Sequence, residues 1–122
     1  MFKSVVKESS KELSARERIM LKDTTGAIKL DEATQADDLE LVPVMWAILD
    51  IHNDKADDKD YENYVVVDKS GLRYVTGSTS FWKSFMDIYT EMENEGEEYT
   101  IKVYRVPSRN YKGKDFITCS II

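Results

Sequence analysis

The chain has 122 residues, with 23 acidic and 17 basic side chains, a formal net charge of −6, one histidine and one cysteine. That length suits one domain able to bury about two thirds of its unfolded surface, and the acidic balance excludes indiscriminate coating of DNA, so any polyanion site has to be a local basic patch. The lone Cys119 excludes an internal disulfide, and with no leader pattern and no apolar run long enough for a bilayer, a reducing, cytoplasmic setting without membrane contact is expected.

Residues 1–18 (MFKSVVKESSKELSARER) carry sparse apolar positions and a helix start signal at Ser9 or Ser10, which predicts a short arm with one or two helical turns. Ile19–Lys22 and Ala27–Leu30 flank the turn-forming cluster Asp23–Gly26, the pattern of a small hairpin. Residues 1–40 are thus expected to form an arm and hairpin packed on a core made by residues 41–122. The acid-rich DEATQADDLE at 31–40 predicts a solvated connection.

Leu41–Ile51 (LVPVMWAILDI) is a continuous apolar run in which Pro43 disfavours a helix interior, and its length fits a buried strand with Trp46 in the core. The polar loop His52–Asp60 follows. Tyr64–Val67 and Leu72–Thr76 flank Asp68–Gly71, a firm hairpin signal. Hydroxyl caps at Gly77–Ser80 precede Phe81, Phe85, Ile88, Tyr89 and Met92, whose spacing places them on one helix face until Asn94, Glu95 and Gly96 stop it. Trp82 lies beside that face, open to partner contact or to capping a barrel. The segment from Tyr99 to Ile122 then reads as a second hairpin with an extended tip.

This order from residue 41 is strand, strand, strand, helix, strand, strand. The fold class expected is therefore mainly β (α+β): an OB-fold-like five-stranded barrel with a helix between its third and fourth strands, preceded by the N-terminal arm.

The second hairpin is chemically set apart. Arg105, Arg109, Lys112 and Lys114 crowd around Tyr104 and Tyr111 in an otherwise acidic chain. Cations that hold phosphates, interleaved with rings that stack on bases, are what a flexible single strand requires. Tyr64 and Tyr74 on paired strands extend this into a stacking platform, with Arg73 and Lys102 nearby if the barrel closes. For each of these tyrosines taken singly, cross-strand packing is the role expected first.

Catalytic and metal chemistry find little support. One histidine without clustered cysteines gives no zinc spacing, which leaves His52 a turn role. Counted from Asp54, a calcium loop would need glycine and glutamate where Lys59 and Val65 stand. The phosphate-cradling, dinucleotide and nucleophile-elbow motifs are missing, and Cys119 lies in an apolar strand far in sequence from His52. No enzyme activity and no cofactor is expected.

The run HNDKADDKDYENYVVVDKSGLRYVTGSTSFW joined to PSRNYKGKDFITCS resembles phage-encoded single-stranded DNA-binding proteins of OB-fold type over roughly residues 41–122. The resemblance implies sequence-independent binding of displaced single strands in replication or recombination, with replication or recombination proteins as further partners. Bacterial members end in an acidic tail that recruits partners, whereas this chain ends Thr118–Ile122 within a strand. A small OB domain also commonly gains affinity by pairing with a copy of itself. The rival expectation is an acidic protein-interaction module, a phage accessory or inhibitor protein, whose stretch 31–62 docks on a basic partner.

Overall fold

The computed structural model describes residues 2–110 and 112–122. Contacts divide the chain into two compact units, Met1–Lys29 with Val44–Gly77 and Leu30–Pro43 with Ser78–Ile122. Each unit is built on its own sheet.

The first unit carries the five-stranded sheet β1-β4-β5-β6-β2, formed by β1 (Phe2–Ser9), β2 (Ile28–Lys29), β4 (Pro43–Asn53), β5 (Asp60–Asp68) and β6 (Arg73–Thr76). The apolar run read as a strand is β4. Its Ala47, Leu49 and Ile51, two residues apart, share a core with Leu21, Val65 and Val75. Tyr64, Val65 and Val66 are consecutive and all buried, so this stretch of β5 is covered on both faces.

The N-terminal segment departs from expectation. Phe2–Ser9 is a strand paired antiparallel with β4, bulged between Val6 and Glu8, in place of an arm with helical turns. Val5 and Val6 favour the extended backbone, and pairing satisfies the row of N–H and C=O groups that the edge of β4 would otherwise leave open. The helix comes later, as α1 (Ala15–Lys22). Its start is a capping box in which Ser14 Oγ accepts from Glu17 N–H at 3.2 Å and Ser14 N–H donates to Glu17 Oε1 at 3.0 Å. Ile19–Lys22 is therefore the end of a helix, and the expected 19–30 hairpin does not form. The Asp23–Gly26 turn does, and it leads into β2, which runs parallel to β6.

The β5–β6 hairpin forms as expected, organised by the buried carboxylate of Asp68. One oxygen accepts from Ser70 N–H (3.0 Å), Ser70 Oγ (2.8 Å) and Leu72 N–H (2.9 Å), and the other accepts from Tyr74 OH (3.0 Å). Gly71 supplies the positive φ of 90° that the turn requires. Burial pushes the Asp68 pKa up, but these donors outweigh it and hold the carboxyl below its ordinary value.

The second unit holds α2 (Leu30–Ala33), α3 (Thr79–Met92) and the sheet β3-β7-β8, formed by β3 (Leu39–Leu41), β7 (Ile101–Pro107) and β8 (Asp115–Ile121). The 31–40 stretch is more than a solvated connection. Thr34 is buried and donates to the Leu30 carbonyl at 2.8 Å, and the Leu–Glu–Leu alternation at 39–41 pairs with β7.

Ser78 caps α3, whose apolar face forms as expected. Phe85 stacks between Phe81 (5.7 Å) and Trp82 (5.3 Å), and Tyr89 follows at 5.7 Å. Phe81, Phe85, Ile101, Val103, Ile117 and Cys119 are buried. The hydroxyl of Ser80 donates to the Ile117 carbonyl at 2.8 Å, and Ser84 bonds Thr118 at 2.7 Å, which ties α3 to β8.

The protein is thus mainly β within an α+β class, with eight strands in two sheets among the described residues. The sheets are open, where sequence order had suggested one OB-like five-stranded barrel. Both outer flanks of the β4-β5-β6 meander are occupied, by β1 and by β2, and the flank of β7 away from β8 is taken by β3.

Truncating Phe85 to Ala should lower stability by about 3–5 kcal/mol, read from the urea midpoint, because the ring is fully buried. Phe116→Ala, at a side chain left exposed, should change it by no more than about 0.5 kcal/mol. Equal effects would contradict the core assigned here.

Candidate nucleic-acid interface

The β7–β8 ladder runs from Ile101 opposite Ile121 to Pro107 opposite Asp115. Alternation buries Ile101 and Val103 on one face and turns Lys102 and Tyr104 to the other, both half-buried. There the Lys102 ammonium lies 5.4 Å from the Tyr104 ring centroid, and Tyr104 OH bonds Ser120 Oγ at 2.8 Å. The tyrosine ring is held in place by two neighbours. Glu40 stands opposite Lys102 in the register, so this face carries one anion beside its cation.

Beyond the ladder, Ser108 N–H donates to the Lys114 carbonyl at 2.8 Å and Gly113 takes φ +82°, closing a tip on which Arg109, Lys112 and Lys114 are exposed. Asp115 is the one acid between Arg105 and Ile122. Among the described residues neither Arg109 nor Lys112 pairs with a carboxylate. Arg105 is committed elsewhere, since its guanidinium donates to the Asp31 carbonyl. Tyr111, expected at the apex, lies outside the described residues.

The other expected site residues belong to the first unit and serve its packing. Tyr64 and Tyr74 are buried, at 7 % and 4 % exposure, so neither ring offers the open face that stacking on a base requires. Burial first, then the hydrogen bond to Asp68, pushes the Tyr74 phenol up to about 12. Arg73 donates to the carbonyls of Met20 and Asp23, the second at 2.6 Å, and so caps the C-terminal end of α1 with a positive charge. Sequence reasoning missed that role, although the Ser14–Glu17 capping box would have placed the helix for which Arg73 is the anchor.

His52 has a role sharper than a turn residue. Its Nδ1 lies 2.7 Å from an Asp60 oxygen and its Nε2 lies 2.7 Å from an Asp54 oxygen, across the base of the β4–β5 loop. Only the imidazolium carries the two N–H groups needed to donate to both, and the bonds to Asp60 and then Asp54 raise the His52 pKa above its ordinary value. Among the described residues no cluster of three or more His, Cys, Asp or Glu side chains could hold a metal ion. Burial pushes the Cys119 thiol up to about 12, far from a reactive thiolate. No helix among the described residues is long and apolar enough to cross a membrane.

No protein-family model, no curated protein sequence and no solved structure matches this chain.

Because the native His52 pKa exceeds its unfolded value of about 6.5, the bridge from His52 to Asp54 and Asp60 contributes fully below that pH and is lost as pH rises through the native pKa. The melting temperature should therefore carry a downward component as pH rises from about 6.5 through neutrality, and His52→Gln should remove it. Indistinguishable pH profiles for the two proteins would overturn the bridging role.

Proposed function

We propose that the protein binds single-stranded DNA without sequence preference through the β7–β8 hairpin. The observation that carries this is the exposed cationic tip of Arg109, Lys112 and Lys114, followed down the same hairpin by Lys102 against the Tyr104 ring, in a chain of net charge −6. The tip cations supply phosphate neutralisation, and Tyr104 with Tyr111 supplies ring surface for bases. The negative background restricts contact to the hairpin and disfavours duplex coating.

The OB-like part of the reading is supported by the element order β4-β5-β6-α3-β7-β8, although the ladders lie in two open sheets. The sequence resemblance supports a setting in phage DNA replication or recombination, in the host cytoplasm, with self-association and replication proteins as further partners. The contact set is narrower than the sequence suggested: Lys102, Tyr104, Arg109, Tyr111, Lys112 and Lys114, without the buried Tyr64 and Tyr74 or the structural Arg73 and Arg105.

Fluorescence anisotropy with labelled oligo-dT tests the reading. If the four cations Lys102, Arg109, Lys112 and Lys114 each neutralise one phosphate, the logarithm of affinity should fall against the logarithm of salt with a slope near about −3, and Arg109→Glu with Lys112→Glu should reduce it to about −1.4. Reversing the exposed Asp57 and Asp58 to Lys should leave binding intact or strengthen it. A flat salt response, or binding lost on reversal of those aspartates, would overturn the proposal, whereas an acidic interaction module acting on a basic partner would lose that activity on the same reversal.

A further inference from the structure

The β7–β8 hairpin carries a ring that its sequence pattern marks only as part of a strand. In the register, Tyr104 stands opposite Thr118 and Val106 opposite Phe116. Alternation therefore puts Tyr104, Val106 and Phe116 on one face, turned away from the buried Val103 and Ile117. Phe116 is 39 % exposed, the most open ring among the described residues of this hairpin. A single exposed apolar side chain is ordinary on a protein surface. Phe116 differs in its company, since it shares its face with a second ring and follows the cation Lys114 by two residues. Asp115, the acid beside it in sequence, is turned by alternation to the other face.

The polar members of that face are already committed. Tyr104 OH bonds Ser120 Oγ at 2.8 Å, the Lys102 ammonium lies 5.4 Å from the Tyr104 ring centroid, and Thr118 bonds Ser84 of α3 at 2.7 Å. Phe116 makes no ring or cation–ring contact among the described residues. With no donor or acceptor of its own, it offers a flat π-face and nothing else. A nucleobase presents the matching surface whatever its sequence, whereas phosphate and sugar do not. Diagonal positions on paired strands lie about 7–8 Å apart, which aromatic side chains span. The Tyr104 and Phe116 rings thus stand within reach of neighbouring bases on one extended strand.

We propose that Phe116 stacks on a base of the bound strand beside the base held at Tyr104, and that this pair of rings makes the hairpin select unpaired nucleic acid over polyanions that lack bases. The inference rests on the DNA reading above and adds a residue and a selectivity to it. The tip cations alone would hold any polyanion of suitable charge spacing. A base still stacked within a duplex would not present its face to Phe116.

Two fluorescein-labelled probes of equal length and phosphate count test this by anisotropy against the full chain: oligo-dT, and a strand of abasic tetrahydrofuran units. Wild type should bind oligo-dT about tenfold or more tighter than the abasic strand. Phe116→Ala should weaken oligo-dT binding by about tenfold, the loss of one stacked base, while keeping the wild-type affinity for the abasic strand and the wild-type salt slope. Phe116→Trp, which keeps a ring, should bind oligo-dT as wild type does. A side chain that served only the strand would leave the ratio of the two affinities unchanged. The inference is overturned, with the DNA reading intact, if wild type binds oligo-dT with the expected salt slope and Phe116→Ala does the same with equal affinity. Equal weakening of both probes by Phe116→Ala also overturns it, because the loss would then lie in hairpin geometry. Equal binding of both probes by wild type overturns the selectivity while leaving the phosphate contacts in place. If wild type binds neither probe, the DNA reading falls, and this inference falls with it.

Discussion

The pairing of strand edges is the constraint on which the rest of this structure depends. A sheet edge presents unpaired N–H and C=O groups that have to be bonded or hydrated. The β4-β5-β6 meander has its edges covered by β1 and β2, and β7 has its outer edge covered by β3. On β8, Ser80 satisfies the carbonyl of Ile117 from α3. Segments of weak intrinsic preference thereby settle the architecture, since each gains a complete ladder by docking where backbone groups would otherwise stay open.

One consequence is the independence of the β7–β8 hairpin. With its strands confined to a three-stranded sheet and backed by the ring stack of Phe81, Phe85 and Tyr89, it carries its own support. The tip can then devote its residues to charge, because none of Arg109, Lys112 or Lys114 is needed in a core. Arg73 and Arg105 show the contrast. Both guanidiniums are spent on backbone carbonyls that hold α1 and α2 in place. Arginines thus divide into those spent on a helix, Arg73 and Arg105, and Arg109, which pairs with no carboxylate among the described residues.

The strongest local signals in the sequence located β4, the β5–β6 hairpin, α3 and the second hairpin, because in each the apolar spacing and the turn or cap chemistry agree. The Asp68–Gly71 turn and the Phe81–Phe85–Tyr89 spacing specify their elements without help from distant residues. β1 and β3 were not legible, since Phe2–Ser9 and Leu39–Leu41 become strands only through the partners they meet. Ile19, Met20 and Leu21 read as a strand by their apolar run, while the capping box at Ser14 and Glu17, three residues apart, carried the better information. The tyrosines misled for a different reason. An amphipathic ring fits a surface platform and a core equally well, and the burial of both faces of β5 at Tyr64–Val66 is not visible in an alternating pattern. The hairpin cations were legible as a cluster, but which of them are committed to the backbone was not.

The most direct test follows backbone amides by two-dimensional ¹H–¹⁵N correlation spectra during titration with oligo-dT. The account predicts that the largest shifts fall on Lys102–Tyr104 and on Ser108–Lys114, while amides of Tyr64, Arg73 and Tyr74 stay in place. Shifts centred on the first unit's sheet, or no shifts at saturating oligonucleotide, would contradict it.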